Sequence, residues 1–194
     1  MAELLHDDRT GRRRGRLVVL AGPSGVGKGT VVAALRRLAP DIWVSVSATT
    51  RAPRPGERDG EHYHFWTPEQ FTEAIAEDGL LEWAQFAGAR YGTPRRPVED
   101  RMADGQPVLL EIDLQGARAV RAALPEAKLV FLEPPDFHVL ERRLRGRGTE
   151  DPQSVARRLE RARVELAAAD EFDRVIVNDD VTRAAAELVE FLRL

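Results

Sequence analysis

The sequence predicts an α/β protein: a parallel β-sheet with helices covering both faces. Three observations carry this. Short, continuous apolar runs of strand length recur along the chain, and each is followed by a segment whose apolar residues recur with the helical period. The 194 residues, 43% hydrophobic and 31% charged, suit one globular domain with its own core. No apolar run approaches the roughly 20 residues of a membrane-spanning helix; the longest, Leu17 to Gly22, has the length of one strand.

The elements follow in order. Residues 1–16 interleave five arginines with acids and show no hydrophobic period, so a flexible, solvated tail is expected, followed by a single domain over 17–194. The run Leu17–Ala21 reads as a buried strand, and Lys28–Leu38 as a helix that stops before Pro40. Residues 44–46 suggest a further core strand.

Alternation then breaks. Over 47–97, Pro53, Pro55, Gly56 and Gly60 mix with Tyr63, Phe65, Trp66, Trp83, Phe86 and Tyr91. This predicts a small α+β insertion, movable relative to a core of 17–46 and 98–194. Its one helix starts at Thr67-Pro68-Glu69-Gln70, a capping box. Trp66, Trp83 and the phenylalanines are expected in its core.

Strands at 108–112 and 129–132 and helices at 114–124 and 136–144 restore the βα rhythm. Asp151 as N-cap and Pro152 at the first helical position open a long helix over 151–169. Strand Arg174–Val177 and helix 181–192 close the chain. Within 141–165, eight arginines crowd around Gly146 and Gly148, an arginine-rich, lid-like segment.

Composition excludes several chemistries. The net charge of −3 gives no global field for nucleic acid or an acidic membrane. Zero cysteines exclude a disulfide scaffold, a thiolate metal site and a catalytic thiol. Residues 1–16 lack the apolar stretch of a secretory signal, so a cytoplasmic protein with no obligatory protein partner is expected. Of the 29 basic residues all but Lys28 and Lys128 are arginine, which hints that position 28 requires a compact ammonium.

That lysine lies in Gly22-Pro23-Ser24-Gly25-Val26-Gly27-Lys28-Gly29-Thr30, between a buried strand and a helix. Glycines let the backbone curl so that successive N–H groups point inward. With the helix N-terminus and the ammonium they form a nest for a polyphosphate, the P-loop. The fold class is therefore a P-loop NTPase fold. Here Gly29 stands where the usual pattern has the hydroxyl residue that ligates Mg²⁺, with Thr30 one place later. This Gly-Lys-Gly-Thr form resembles nucleoside monophosphate kinases, in which the metal is held mainly through water and phosphate oxygens. No direct protein ligand can be assigned; Gly29, Thr30, Glu111 and Asp113 are the residues expected near the ion.

A second group names the acceptor. Arg51 and Arg54 lie three apart on a Pro-braced stretch, and arginine forks match phosphate oxygens. Taken with Glu61-His62-Tyr63-His64-Phe65, Glu82-Trp83, and Arg90-Tyr91-Gly92-Thr93, the chain from Leu17 to its end closely resembles the guanylate kinase family. The resemblance implies transfer of the γ-phosphoryl of ATP to GMP, with Mg²⁺ and with dGMP left open. It implies Ser47, Glu82, Thr93 and Asp113 around the guanine, and Arg51, Arg54, Tyr63 and Tyr91 at the GMP phosphate. Physically, one Glu82 carboxylate can accept from guanine N1–H and N2–H₂ together, whereas adenine presents the opposite pattern. Asp113 could also orient an arginine or organise metal water, and these alternatives stay open.

The resemblance places Arg143, Arg147 and Arg158 over ATP with Lys28, and Asn178 at the adenine. Phosphoryl transfer asks for positioning and charge neutralisation, which a hinged arginine lid provides. Arg142, Arg145, Arg157, Arg161 and Arg163 are expected on solvated faces, paired to acids such as Glu160 and Glu165. His62 and His64 flank Tyr63 without further ligands, which argues against a metal pair. Two rival readings are a P-loop kinase for another phosphorylated acceptor such as a ribose bisphosphate, and a non-catalytic phosphopeptide-binding module. The first has no use for Ser47, Glu82 and Thr93, and the second characteristically lacks an intact P-loop and lid.

Overall fold

The computed structural model describes residues 14–86, 88–145 and 152–194. The chain runs β1 (Leu17–Ala21), α1 (Lys28–Leu38), β2 (Trp43–Val44), β3 (Ala48–Thr49), β4 (His64–Phe65), α2 (Pro68–Ala76), β5 (Leu80–Phe86), β6 (Ala89–Pro94) and α3 (Arg95–Ala103). It continues β7 (Val108–Glu111), α4 (Leu114–Ala123), β8 (Lys128–Glu133), α5 (Phe137–Arg145), α6 (Pro152–Leu166), β9 (Arg174–Val177) and α7 (Val181–Arg193).

Among the described residues the strands form two sheets. The larger is parallel, in the order β2-β7-β1-β8-β9. Its central strand β1 is buried along its whole length, and its side chains divide by the period of two. Val18 and Leu20 pack with Val31 and Leu35 of α1 and Leu188 of α7. Leu17, Val19 and Ala21 pack with Val98 and Met102 of α3 and Val120 of α4. Helices on both faces explain why these strands read as continuous apolar runs rather than alternating ones. Truncating a fully buried residue such as Leu20, Leu110 or Leu132 to Ala costs on the order of 2–5 kcal/mol.

The smaller sheet, β4-β3-β6-β5, is mixed, with β5 and β6 forming an antiparallel hairpin. It packs Ala48 and Leu80 on Phe71 of α2. The capping box forms: Thr67 Oγ1 accepts from Gln70 N at 3.2 Å, and Gln70 Oε1 accepts from Thr67 N at 2.8 Å. Trp83 and Phe86 depart from the expected core, being 45% and 55% exposed. Both lie on β5, one of the two edge strands of this sheet, where burial runs out toward the strand's end.

Other differences are local. Of the expected tail, residues 1–13 lie outside the described ones, but Arg14–Arg16 are anchored. Gly15 N donates to Met102 O at 2.7 Å, and Arg16 Nη1 donates to Phe191 O at 3.0 Å. Helix α6 ends at Leu166, short of the expected 169. Ala168 N turns to Glu165 O at 3.2 Å in a tightened last turn, and a 3-10 turn, Ala169–Glu171, follows. Asp151 and residues 146–150 lie outside the described residues. Among the described residues no helix is long and apolar enough to cross a membrane.

Candidate active site

A cavity of about 360 Å³ opens at the carboxyl ends of β2 and β7, where open α/β sheets place ligands. Lys28 at the start of α1 and Glu111 at the end of β7 line it on one side, and Ser47, Tyr63, Glu82 and Tyr91, in and beside the strands of the smaller sheet, on the other. Asp113 completes the lining between them.

On the Lys28 side, the P-loop turns into α1 at Gly27, whose φ of +100° only glycine adopts without strain. A Cβ there would also lie 2.7 Å from Asn178 Nδ2. Gly27 is the N-cap and brings no capping side chain; Thr30 N turns back to Gly27 O at 3.1 Å, which leaves the Lys28 and Gly29 N–H groups at the start of α1 for an anion. The Lys28 ammonium folds back onto the carbonyls of Gly22 at 2.6 Å and Pro23 at 3.4 Å. Loss of water around it pushes its pKa down, while the carboxylates of Glu111, Glu165 and Asp113 push it back up. Glu111 is itself pushed up by burial, with Lys28 opposing.

Three residues expected at ATP clasp the loop from outside. Asn178 Nδ2 and Arg143 Nη1 both donate to Val26 O, at 2.7 and 2.9 Å. Arg158 Nη2 donates to Ser24 Oγ at 2.6 Å. Helices α5 and α6 and the loop after β9 thus converge on the P-loop. Arg147 lies outside the described residues.

The other wall is built by the β5–β6 hairpin, whose register sets Glu82 opposite Thr93. Glu82 is 7% exposed, and its Oε1 accepts from the fully buried Thr93 hydroxyl at 2.6 Å. Burial outweighs that hydrogen bond and pushes the carboxyl up to about 7. Asp113 caps α4, its Oδ1 accepting from Gly116 N at 2.9 Å. Its Oδ2 meets Arg161 Nη2 at 3.4 Å.

Of the residues expected at the acceptor phosphate, Tyr63 and Tyr91 pack edge to face in the cavity wall, 6.1 Å apart. Arg51 stacks over the Tyr63 ring at 5.2 Å without itself lining the cavity. Arg54 is exposed on the following turn. His62 and His64 join no metal-binding group: among the described residues no three or more His, Asp or Glu side chains are placed to hold an ion.

Sequence reasoning missed residues that the fold brings to the rim. Arg161 does pair with Glu165, at 2.8 Å as an i,i+4 pair, but it also reaches Asp113 and lies 5.1 Å over the Phe86 ring. Arg36 lines the cavity from α1 and acts electrostatically on Glu111. The i,i+4 spacing found Arg161's helical partner, but no local signal reveals partners on β5 and α4.

The guanylate kinase family model matches residues 14–194. The chain is 62% identical over 176 residues to a guanylate kinase of Frankia casuarinae, covering 91% of this chain and 96% of that one. It is 60% identical over 177 residues to one of Thermobifida fusca, covering 91% and 90%. The crystal structure of guanylate kinase from Anaplasma phagocytophilum superposes with a TM-score of 0.75 at 34% identity, over 93% of this chain and 85% of that one. A shikimate kinase from Bacteroides thetaiotaomicron matches at a TM-score of 0.50 and 19% identity, over 92% and 99%, a likeness of fold alone.

Proposed function

The chain belongs to the guanylate kinase family, and we propose on that basis that it transfers the γ-phosphoryl of ATP to GMP, giving ADP and GDP. The observation that carries the reading is one cavity holding a P-loop ammonium, Lys28, at one wall and a buried carboxylate reader, Glu82 with Thr93, at the other.

In this reading residues 22–30 wrap the ATP phosphates, and Lys28 exchanges its two carbonyl partners for phosphate oxygens. Arg143, Arg147 and Arg158 neutralise charge on the migrating group, and Asn178 holds the loop beside the adenine. Arg51, Arg54, Tyr63 and Tyr91 hold the GMP phosphate, while Ser47, Glu82, Thr93 and Asp113 surround the guanine. The nucleophile is a phosphate oxygen, already anionic near pH 7 because its second pKa is about 6, so no general base is required. Catalysis then rests on alignment and electrostatic stabilisation.

Mg²⁺ suits this donor set as an ion carried by the nucleotide. The Thr30 hydroxyl and the Glu111 carboxylate are hard oxygen donors, and Glu111 Oε1 lies 3.7 Å from where a Gly29 Cβ would stand. When bound, the ion supplies charge neutralisation at the phosphates. A coupled assay of ADP formation with GMP, AMP, CMP and UMP tests the assignment. Turnover confined to GMP among the four is expected, and equal use of AMP would overturn it.

A further inference from the structure

The loop that carries Arg51 is built around one carboxylate. Arg54-Pro55-Gly56-Glu57 is a tight turn closed by Glu57 N donating to Arg54 O at 3.0 Å. Proline fits its second position, and Gly56, at φ +86°, its third, where a Cβ would be strained. The turn sends the Glu57 side chain back to Arg51. Arg51 Nη1 donates to Glu57 Oε2 at 2.7 Å and Nη2 donates to Oε1 at 3.0 Å, an end-on, two-point grip. Arg54 N also donates to Oε2, at 2.7 Å. This clasp holds the Glu57 carboxyl down at about 2, so it stays ionised at every working pH.

The guanidinium's remaining hydrogens matter most. Nη1 gives its second hydrogen to Ala52 O at 2.8 Å. That leaves Nε–H and one Nη2 hydrogen, parallel along a single side edge of the fork, to serve the Tyr91 hydroxyl and an incoming ligand. The Tyr91 hydroxyl interacts with the same guanidinium, and the rings of Tyr63 and Phe65 lie 5.2 and 5.7 Å from it.

We propose that Glu57 is a positioning residue: it fixes Arg51 end-on so that the Nε–Nη2 edge is presented, pre-oriented, to the phosphate of the acceptor nucleotide. The proposal rests on the phosphotransfer reading above and adds to it a residue that touches no substrate. An arginine locked on one edge and stacked on one face has little rotamer freedom left to lose when the phosphate arrives. Glu57 therefore assists binding of the phosphate without competing for it.

The test compares wild type with Glu57→Gln and Glu57→Asp, measuring KM for GMP, KM for ATP and the calorimetric affinity for guanosine, which has no phosphate. Wild-type turnover of GMP is measured first; its absence overturns the phosphotransfer reading and this proposal with it. Given that turnover, Glu57→Gln should raise KM for GMP by roughly ten- to a hundredfold, the scale seen when a partner that orients a ligating side chain is removed. KM for ATP and guanosine affinity should stay within about twofold of wild type. Glu57→Asp keeps the charge with a shorter reach and should recover part of the loss. A lowered KM for GMP in Glu57→Gln would show that the carboxylate competes with the phosphate, and an unchanged one that Arg51 is organised without it; either overturns the proposal. Equal losses for GMP, ATP and guanosine in both variants would mark a collapsed loop and also overturn it.

Discussion

Glu82 and Thr93 face each other across the β5–β6 hairpin, and the Thr93 hydroxyl donates to Glu82 Oε1 at 2.6 Å. Thr93 is fully buried and Glu82 nearly so, and the hydrogen bonding that Thr93 supplies does not offset the loss of water around the carboxylate. The carboxyl sits at about 7 as a result. A guanine would bring two more donors to the same group, so ligand recognition and protonation are coupled at this residue.

The first prediction follows from that coupling. Guanine N–H donors require Glu82 ionised, so binding below about pH 7 must release its proton. Guanosine is the probe of choice because it carries no titrating phosphate. Its affinity should rise as pH climbs from about 5 to 7 and then level off, with calorimetry in buffers of different ionisation heat recording proton release on the acid side. Glu82→Gln should show no release. A pH-independent wild-type affinity would remove Glu82 from the base-reading role.

A second prediction concerns Lys28. Its ammonium rests on the Gly22 and Pro23 carbonyls, and in the proposed reaction it follows charge onto the transferring group. Lys28→Ala should keep the fold, since its contacts are to backbone at the loop mouth, and should lose about 10²–10³ or more in kcat. Turnover near wild type in a folded Lys28→Ala protein would contradict the P-loop assignment.

Gly116 offers a third. A Cβ at this position would stand 3.0 Å from Glu82 Oε2 and 3.1 Å from Ile112 Cδ1. Ala is the better helix former by up to about 1 kcal/mol, so Gly116→Ala should change melting temperature little. The added methyl must nonetheless push the carboxylate by a few tenths of an ångström. KM for GMP should rise by roughly tenfold with KM for ATP unchanged, because misplaced recognition groups are costly even at small displacements. Equal changes in both constants would show that the methyl disturbs the sheet and leaves the carboxylate in place.

The parallel core was legible because buried strands flanked by helices leave a simple signature. Leu17–Ala21 is continuously apolar because both of its faces are covered, and Lys28–Leu38 has one apolar stripe because only one of its faces is. The capping box at Thr67 was legible for a local reason, since four consecutive residues satisfy one another. Long-range relationships were not. Trp83 and Phe86 look like core by composition, yet they sit on an edge strand whose exposure depends on which strand lies beside it. Arg161 reads as a helix-face ion pair, and its contacts to Asp113 and Phe86 exist only once α6 crosses the cavity rim. The Lys28 and Glu82 walls are 54 positions apart in sequence and meet only through the fold.

The last prediction sets stability against function at Glu82. A carboxyl raised to about 7 from an ordinary 4.5 binds its proton more tightly in the folded chain than in the unfolded one. The stability it contributes is therefore fully present below about pH 4.5 and is lost as pH rises through about 7. Glu82→Gln does not titrate, and its amide oxygen can still accept from Thr93, so the variant escapes that loss. Above pH 7 it should be more stable than wild type by on the order of 1–3 kcal/mol, with the advantage shrinking toward zero near pH 5. In a chain of this size each kcal/mol moves Tm by about 2–4 °C, which calorimetric melts at the two pH values will resolve. The same variant should lose GMP preference. Its amide presents one acceptor and one donor to guanine's two donors, and discrimination built on matched buried hydrogen bonds reaches roughly 10⁴–10⁵. KM for ATP should not move, because Glu82 lies on the far wall from Lys28. A variant that melts with wild type at high pH would show that the carboxyl is not strained in the free protein. One that keeps full GMP preference would place the guanine reader elsewhere in the cavity.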